Sequence, residues 1–136
     1  MRLTEVAGKV DVDATVKAVA YGRIGLGVSY LLTPGLALRL WPGRQATTTS
    51  ADQAMLSMMA RSTGGRDIGL GLGALFAQKH GTPVRGWLEA AMLADTADAL
   101  AIVIAFRQLP RAKAVAMLGA ALGAAVAGRK LASAVG

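Results

Sequence analysis

The sequence predicts an all-α fold, a four-helix transmembrane bundle with short connections and a short interfacial segment after the first helix. Three observations carry this expectation. Residues of the AVILMFWYC set make up 54% of the 136-residue chain and only 17% are charged, against about a quarter in an ordinary soluble domain; the mean hydropathy is +0.46. The apolar surplus is Ala, Leu, Val and Met with 17 Gly, beside only two Trp, two Tyr and two Phe. A water-soluble core leans on large aromatic side chains for buried area, whereas small residues suit close helix–helix approach. Finally, four apolar segments of roughly twenty residues each are parted by Pro, Gly or polar stretches, and none alternates like a strand. Twenty helical residues rise about 30 Å, the thickness of a hydrocarbon core.

Residues 1–13 are mixed in charge and lack the basic, apolar and small-residue order of a signal peptide; they read as an exposed arm. The single domain, 14–136, follows. Its first helix is expected over about 14–32 and ends at Pro34-Gly35, because Pro has no amide hydrogen and Gly turns the chain. LALRLW (36–41), stopped by Pro42-Gly43, reads as an amphipathic turn at a membrane interface, with Trp41 beside Arg39 and Arg44. RQATTTSAD (44–52) is a polar loop whose Ser50 or Asp52 can cap the second helix, expected over 54–78. KHGTPVRG (79–86) is a hairpin connection, the third helix covers 87–106, RQLPRAK (107–113) is a basic turn, and the fourth helix covers 114–135.

The longest charge-free runs, Ile24–Leu38 and Ala114–Gly128, reach 15 residues, short of the 18 or more of a simple spanning helix. A central Arg or Asp costs roughly 2.5–3.5 kcal/mol on insertion, so the second helix, with Arg61, Arg66 and Asp67, inserts poorly alone. The bland alternative is a soluble Ala-rich bundle.

Composition excludes several chemistries. With no cysteine, disulfides, thiolate metal sites and iron–sulfur clusters are ruled out, and the one histidine, His80, lies in a turn, so no metal site or cofactor is expected. The net charge of +7 raises nucleic acid as a partner, but the basic residues stand singly beside apolar runs with no aromatic stacking platform between them. Anionic headgroups flanking the helices account for them, and no nucleic-acid partner is expected. Lys and Arg number seven on the side of the termini and the 79–86 connection against five on the other, which favours both termini in the cytoplasm.

The informative residues are those a membrane helix should not carry. Arg66 lies 16 residues before Thr82 and Asp98 lies 16 after it, so an antiparallel second and third helix bring them to one depth, with Asp95 one turn away on the same face. Arg23 lies 22 residues before Gln45 and Asp67 lies 22 after it, which levels those two. Arg23, Arg66, Asp67, Asp95 and Asp98 are therefore expected to converge inside the bundle, with Arg61 about a turn and a half further along. Paired, three Arg and three Asp neutralise one another, where isolated charges would be prohibitive; a guanidinium fork can serve two carboxylates. Such a cluster either fixes helix register or lines a polar cavity for a proton, ion or small polar solute. Gly65, Gly69 and Gly73 recur every four residues, as do Gly119, Gly123 and Ala127, and these stripes are the expected helix-packing faces. Met55, Met58 and Met59 read as adaptable packing. GRDIGLGLG has no preceding strand and is no nucleotide loop, and no base is placed to activate Ser62, Thr63 or Thr96, so no catalytic residue is assigned.

Arg23-Ile24-Gly25-Leu26-Gly27, Pro34, Arg61-Ser62-Thr63-Gly64-Gly65-Arg66-Asp67-Ile68-Gly69-Leu70-Gly71, Trp87 and Ala94-Asp95-Thr96-Ala97-Asp98 together resemble small uncharacterised four-span membrane proteins frequent in actinobacteria, broadly similar to the DoxX-like proteins. The likeness covers residues 20–106 and implies a four-helix membrane bundle of unassigned activity; some DoxX-like relatives are accessory subunits of quinone-linked complexes. The expectation is a non-enzymatic, multi-pass protein of the cell membrane, an accessory or assembly subunit whose partners are the bilayer and a membrane protein or a second copy. Alternatives are a polar-cavity carrier and a soluble helical interaction module.

Overall fold

The computed structural model describes residues 11–40 and 49–135. All the regular structure among them is helical. Helix α1 is Val12–Leu32, α2 a single turn at Pro34–Ala37 running into a 3-10 turn at Leu38–Leu40, α3 Ser50–Lys79, α4 Arg85–Ala105 and α5 Arg111–Ala134. The four long helices are those expected, shifted at their ends. Most of the 1–13 arm, and Trp41, Pro42, Gly43 and Arg44 of the expected interfacial turn, lie outside the described residues.

The ends follow from local chemistry. Asp11 caps α1 by accepting the Ala14 N–H at 3.2 Å, so the helix begins before Ala14. It closes at Thr33, since Pro34 next in line has no amide hydrogen to continue the ladder. Thr49 caps α3, accepting the Asp52 N–H at 3.1 Å; Ser50 and Asp52, the expected caps, are the first residues inside. A threonine hydroxyl at that position satisfies an amide the helix leaves free. The connection to α4 turns at Gly81, the one described residue at positive φ (+64°), where the Thr82 N–H returns to the Ala77 carbonyl at 2.9 Å, a Schellman-type end.

The long helices form two antiparallel pairs, α1 on α3 and α4 on α5, and the pairs meet one another over shorter stretches. Small residues bring the backbones together. A Cβ built on Gly64 would lie 2.5 Å from the Gly27 carbonyl, and one on Gly71 would lie 2.6 Å from that of Ala20. In the other pair Gly128 receives the Met92 side chain, with 3.3 Å left for a Cβ. The buried face of α3 runs Ala60, Gly64, Asp67, Gly71, Ala74, and that of α4 runs Leu88, Ala91, Asp95, Ala99; both step by three or four residues, as a helical stripe must.

Little else is buried. Val16 is the only large side chain fully enclosed among the described residues; it joins Leu88 and Ala132 in the one apolar cluster. The aliphatic bulk points outward: Leu32, Leu93, Leu100 and Ile104 are 72%, 62%, 59% and 77% exposed. Met55, Met58 and Met59, expected as packing, are exposed as well. One helix among the described residues, α5, is long and apolar enough to cross a membrane, and only 11% of its apolar window is buried within the fold.

Candidate functional site: an Arg/Asp cluster between the helix pairs

Five of the six predicted cluster residues converge. The guanidinium of Arg23, from α1, donates through Nη1 to Asp67 Oδ1 of α3 at 3.0 Å and through Nη2 to Asp95 Oδ2 of α4. Arg66, from α3, forks onto Asp98 of α4, with Nη1 to Oδ1 at 3.0 Å and Nη2 to Oδ2 at 2.8 Å. Its Nη2 also reaches Asp67 Oδ1 at 3.5 Å. Two parallel N–H···O bonds make the Arg66–Asp98 pair the geometrically strongest of the set. Asp67 and Asp95 are buried, 4% and 6% exposed, while Asp98 lies at the open edge with its side chain 44% exposed.

Helix register puts them there. Along the α1/α3 pair, Gly27 opposes Gly64 and Ala20 opposes Gly71, which brings Arg23 opposite Asp67. Both depth counts, from Thr82 and from Gln45, are met by observed ion pairs. Asp95 and Asp98 share a face of α4 but not a partner, since the fork of Arg66 takes Asp98 and Arg23 takes Asp95.

Arg61 is not a member. It is exposed, and its Nε donates to the Leu31 carbonyl at 3.3 Å. Six residues before Asp67 it is about 9 Å along the helix and about 120° around it, which takes it off the buried face. The cluster therefore holds two guanidiniums against three carboxylates, where three against three was expected. The Nε atoms of Arg23 and Arg66 are buried without a hydrogen-bond partner.

The expected packing glycines fall largely elsewhere. Gly65, Gly69, Gly119 and Gly123 have nothing within 4 Å of the point where a Cβ would stand, and Ala127 is exposed. Gly73 alone makes a close approach, beneath the Trp87 ring. The glycines that let the pairs close are Gly27, Gly64, Gly71 and Gly128. A four-residue repeat alone cannot tell the two faces of α3 apart. The charges can: Gly64 and Gly71 lie three before and four after Asp67, and Ala20 and Gly27 lie three before and four after Arg23.

Among the described residues, two grooves stand out on the surface. One, of about 490 Å³, lies between α3 and α4 against Gly69, Gly73, Phe76 and Trp87. The other, of about 1410 Å³, opens at the end carrying Asp13, Lys17, Gln78 and Arg85. Neither is lined by a cluster residue. Outside the cluster, Arg85 and Glu89 form an exposed i,i+4 pair at 2.7 Å, and the Thr96 hydroxyl donates to the Met92 carbonyl at 2.7 Å. The chain matches no protein-family model, no curated protein and no solved structure.

Proposed function

We propose that this chain is a small integral membrane protein, its four long helices crossing the bilayer in the DoxX-like manner, which works as an accessory or assembly subunit and catalyses no reaction. The Arg/Asp cluster is its internal lock. The stripes of Gly65/Gly69 and Gly119/Gly123/Ala127 are outward faces for a partner protein or a second copy, and the termini lie in the cytoplasm.

One observation supports this reading above the rest: the distribution of polarity is inverted. Arg and Asp side chains occupy the middle of the fold, and large aliphatic side chains are exposed on its outside. In water that arrangement forgoes the burial that holds a soluble bundle together, whereas in lipid it is the stable one. A lock is favoured over a carrier because all four terminal guanidinium nitrogens are engaged and neither groove reaches the cluster.

Alkaline carbonate washing of membranes that carry the full chain tests this: the protein stays with the lipid pellet. Release into the supernatant would end the membrane reading. Capture from native membranes in mild detergent then tests the accessory role, with co-purification of a stoichiometric membrane protein or a second copy expected.

A further inference from the structure

The cluster does not balance. Arg23 and Arg66 supply two positive charges, and Asp67, Asp95 and Asp98 supply three negative ones. With Arg61 turned away to the Leu31 carbonyl, no third guanidinium among the described residues closes the count.

The pairing pattern locates the surplus. Asp98 commits both oxygens to the Arg66 fork, and it has the most exposed of the three carboxylates. Asp67 Oδ1 accepts from both guanidiniums. Asp95 has the weakest claim: it accepts a single hydrogen bond, from the Arg23 it shares with Asp67, where Asp67 and Asp98 each accept two. Its Oδ1, like Asp67 Oδ2, accepts nothing from the described residues, and its side chain is 9% exposed. The charged groups around Asp95 are Arg23 from α1, Arg66 and Asp67 from α3, and Asp98 on its own helix. Helix α5, packed on the other side, adds none at that depth. Its charges, Arg111, Lys113, Arg129 and Lys130, stand toward its two ends, and the register of Gly128 against Met92 puts Ala125 level with Asp95.

An unbalanced carboxylate away from water is expensive, and the less costly states are a paired one or a neutral one. We infer that Asp95 is a one-proton site, held as the carboxylic acid with the hydrogen on Oδ1, so that the closed cluster is electrically neutral. A proton is favoured over a coordinated metal ion because no three carboxylate or imidazole groups among the described residues converge as metal ligands. The inference rests on the membrane reading above, since in an aqueous setting the surplus charge would need no neutralisation. It deepens that reading: the lock closes fully only when it has taken up one proton.

The test uses the full chain returned to lipid at neutral pH, in buffer free of alkali cations. The expected result is an infrared C=O band of a protonated carboxyl, shifted in D2O, that disappears in Asp95→Asn. That variant, which mimics the neutral acid, melts with the wild type. Asp67→Asn, which removes the acceptor shared by both guanidiniums, melts lower. Absence of the band from folded wild type, its survival in Asp95→Asn, or an Asp95→Asn protein that melts as low as Asp67→Asn or fails to fold would each overturn the assignment. So would sodium or potassium raising the melting temperature of the wild type but not of Asp95→Asn, which would make the ligand an alkali cation. Carbonate extraction reports separately: a chain released from membranes fails the membrane reading, whereas a retained chain with no band fails only the proton site.

Discussion

Arg23 ties three helices together, because its two Nη atoms join α1 to α3 and to α4 at once. Replacing it by Gln takes from buried Asp67 its nearer guanidinium and from Asp95 its hydrogen-bond donor, and losing one partner of a buried pair costs about 3–5 kcal/mol. Thermal unfolding in detergent should therefore show Arg23→Gln as the most damaging change in the cluster. Asp98→Asn also lowers thermal stability, but by less, since Asp98 sits at the open edge and Arg66 keeps Asp67 within reach. Five members of this cluster are legible from residue counting, because two antiparallel helices fix depth by arithmetic about their turn. The same arithmetic misplaces Arg61: depth says nothing of azimuth, and 120° is enough to take a guanidinium out of the interior.

At the scale of helices, the contrast between Gly64 and Gly65 separates the two faces of α3. Gly64→Ala puts a methyl against the Gly27 carbonyl and forces the α1/α3 pair apart, with a loss of about 1–3 kcal/mol typical of overpacking. Gly65→Ala enters open space and leaves the melting temperature unchanged or raised, since Ala is the better helix former by up to about 1 kcal/mol. Gly69→Leu and Gly123→Leu leave the fold intact and alter association with a second copy or partner, read by cross-linking in native membranes. Unchanged assembly in both would remove the outward-face argument. The helices themselves are readable from apolar segments bounded by Pro34, the 79–86 turn and Pro110. The starts of α1 and α3 move back by two and four residues because capping by Asp11 and Thr49 draws polar residues into the first turn. The choice of packing face is not readable from glycine spacing, because the four-residue repeat runs through Gly65 and Gly69, which face open space, whereas the contact glycines Gly64 and Gly71 lie seven apart; it becomes readable only when anchored on Asp67.

For the molecule as a whole, the decisive property is an exterior of aliphatic side chains around a charged centre. Leu93, near the middle of α4, is 62% exposed. On a soluble particle Leu93→Arg is close to neutral, within about 0.5 kcal/mol. Facing lipid at mid-depth, the same change costs roughly 2.5–3.5 kcal/mol of insertion. Membrane yield of Leu93→Arg against wild type measures the difference, and a large drop is expected. The thin interior has a physical origin: with Ala and Gly on the contact faces, backbones approach closely and leave no room for a conventional core.

That same thinness divides the chain into electrically complementary halves. The α1/α3 half carries Arg23, Arg66 and Asp67 into the junction, a surplus of one positive charge, and the α4/α5 half carries the Asp98 carboxylate beside the Asp95 acid, a surplus of one negative charge. Each half is closed by its own glycine contacts, and neither is satisfied without the other. A chain cut in the exposed 81–83 turn and made as two co-expressed fragments should reassemble in the membrane through attraction of opposite charge, and Arg23→Gln in the first fragment should abolish that complementation.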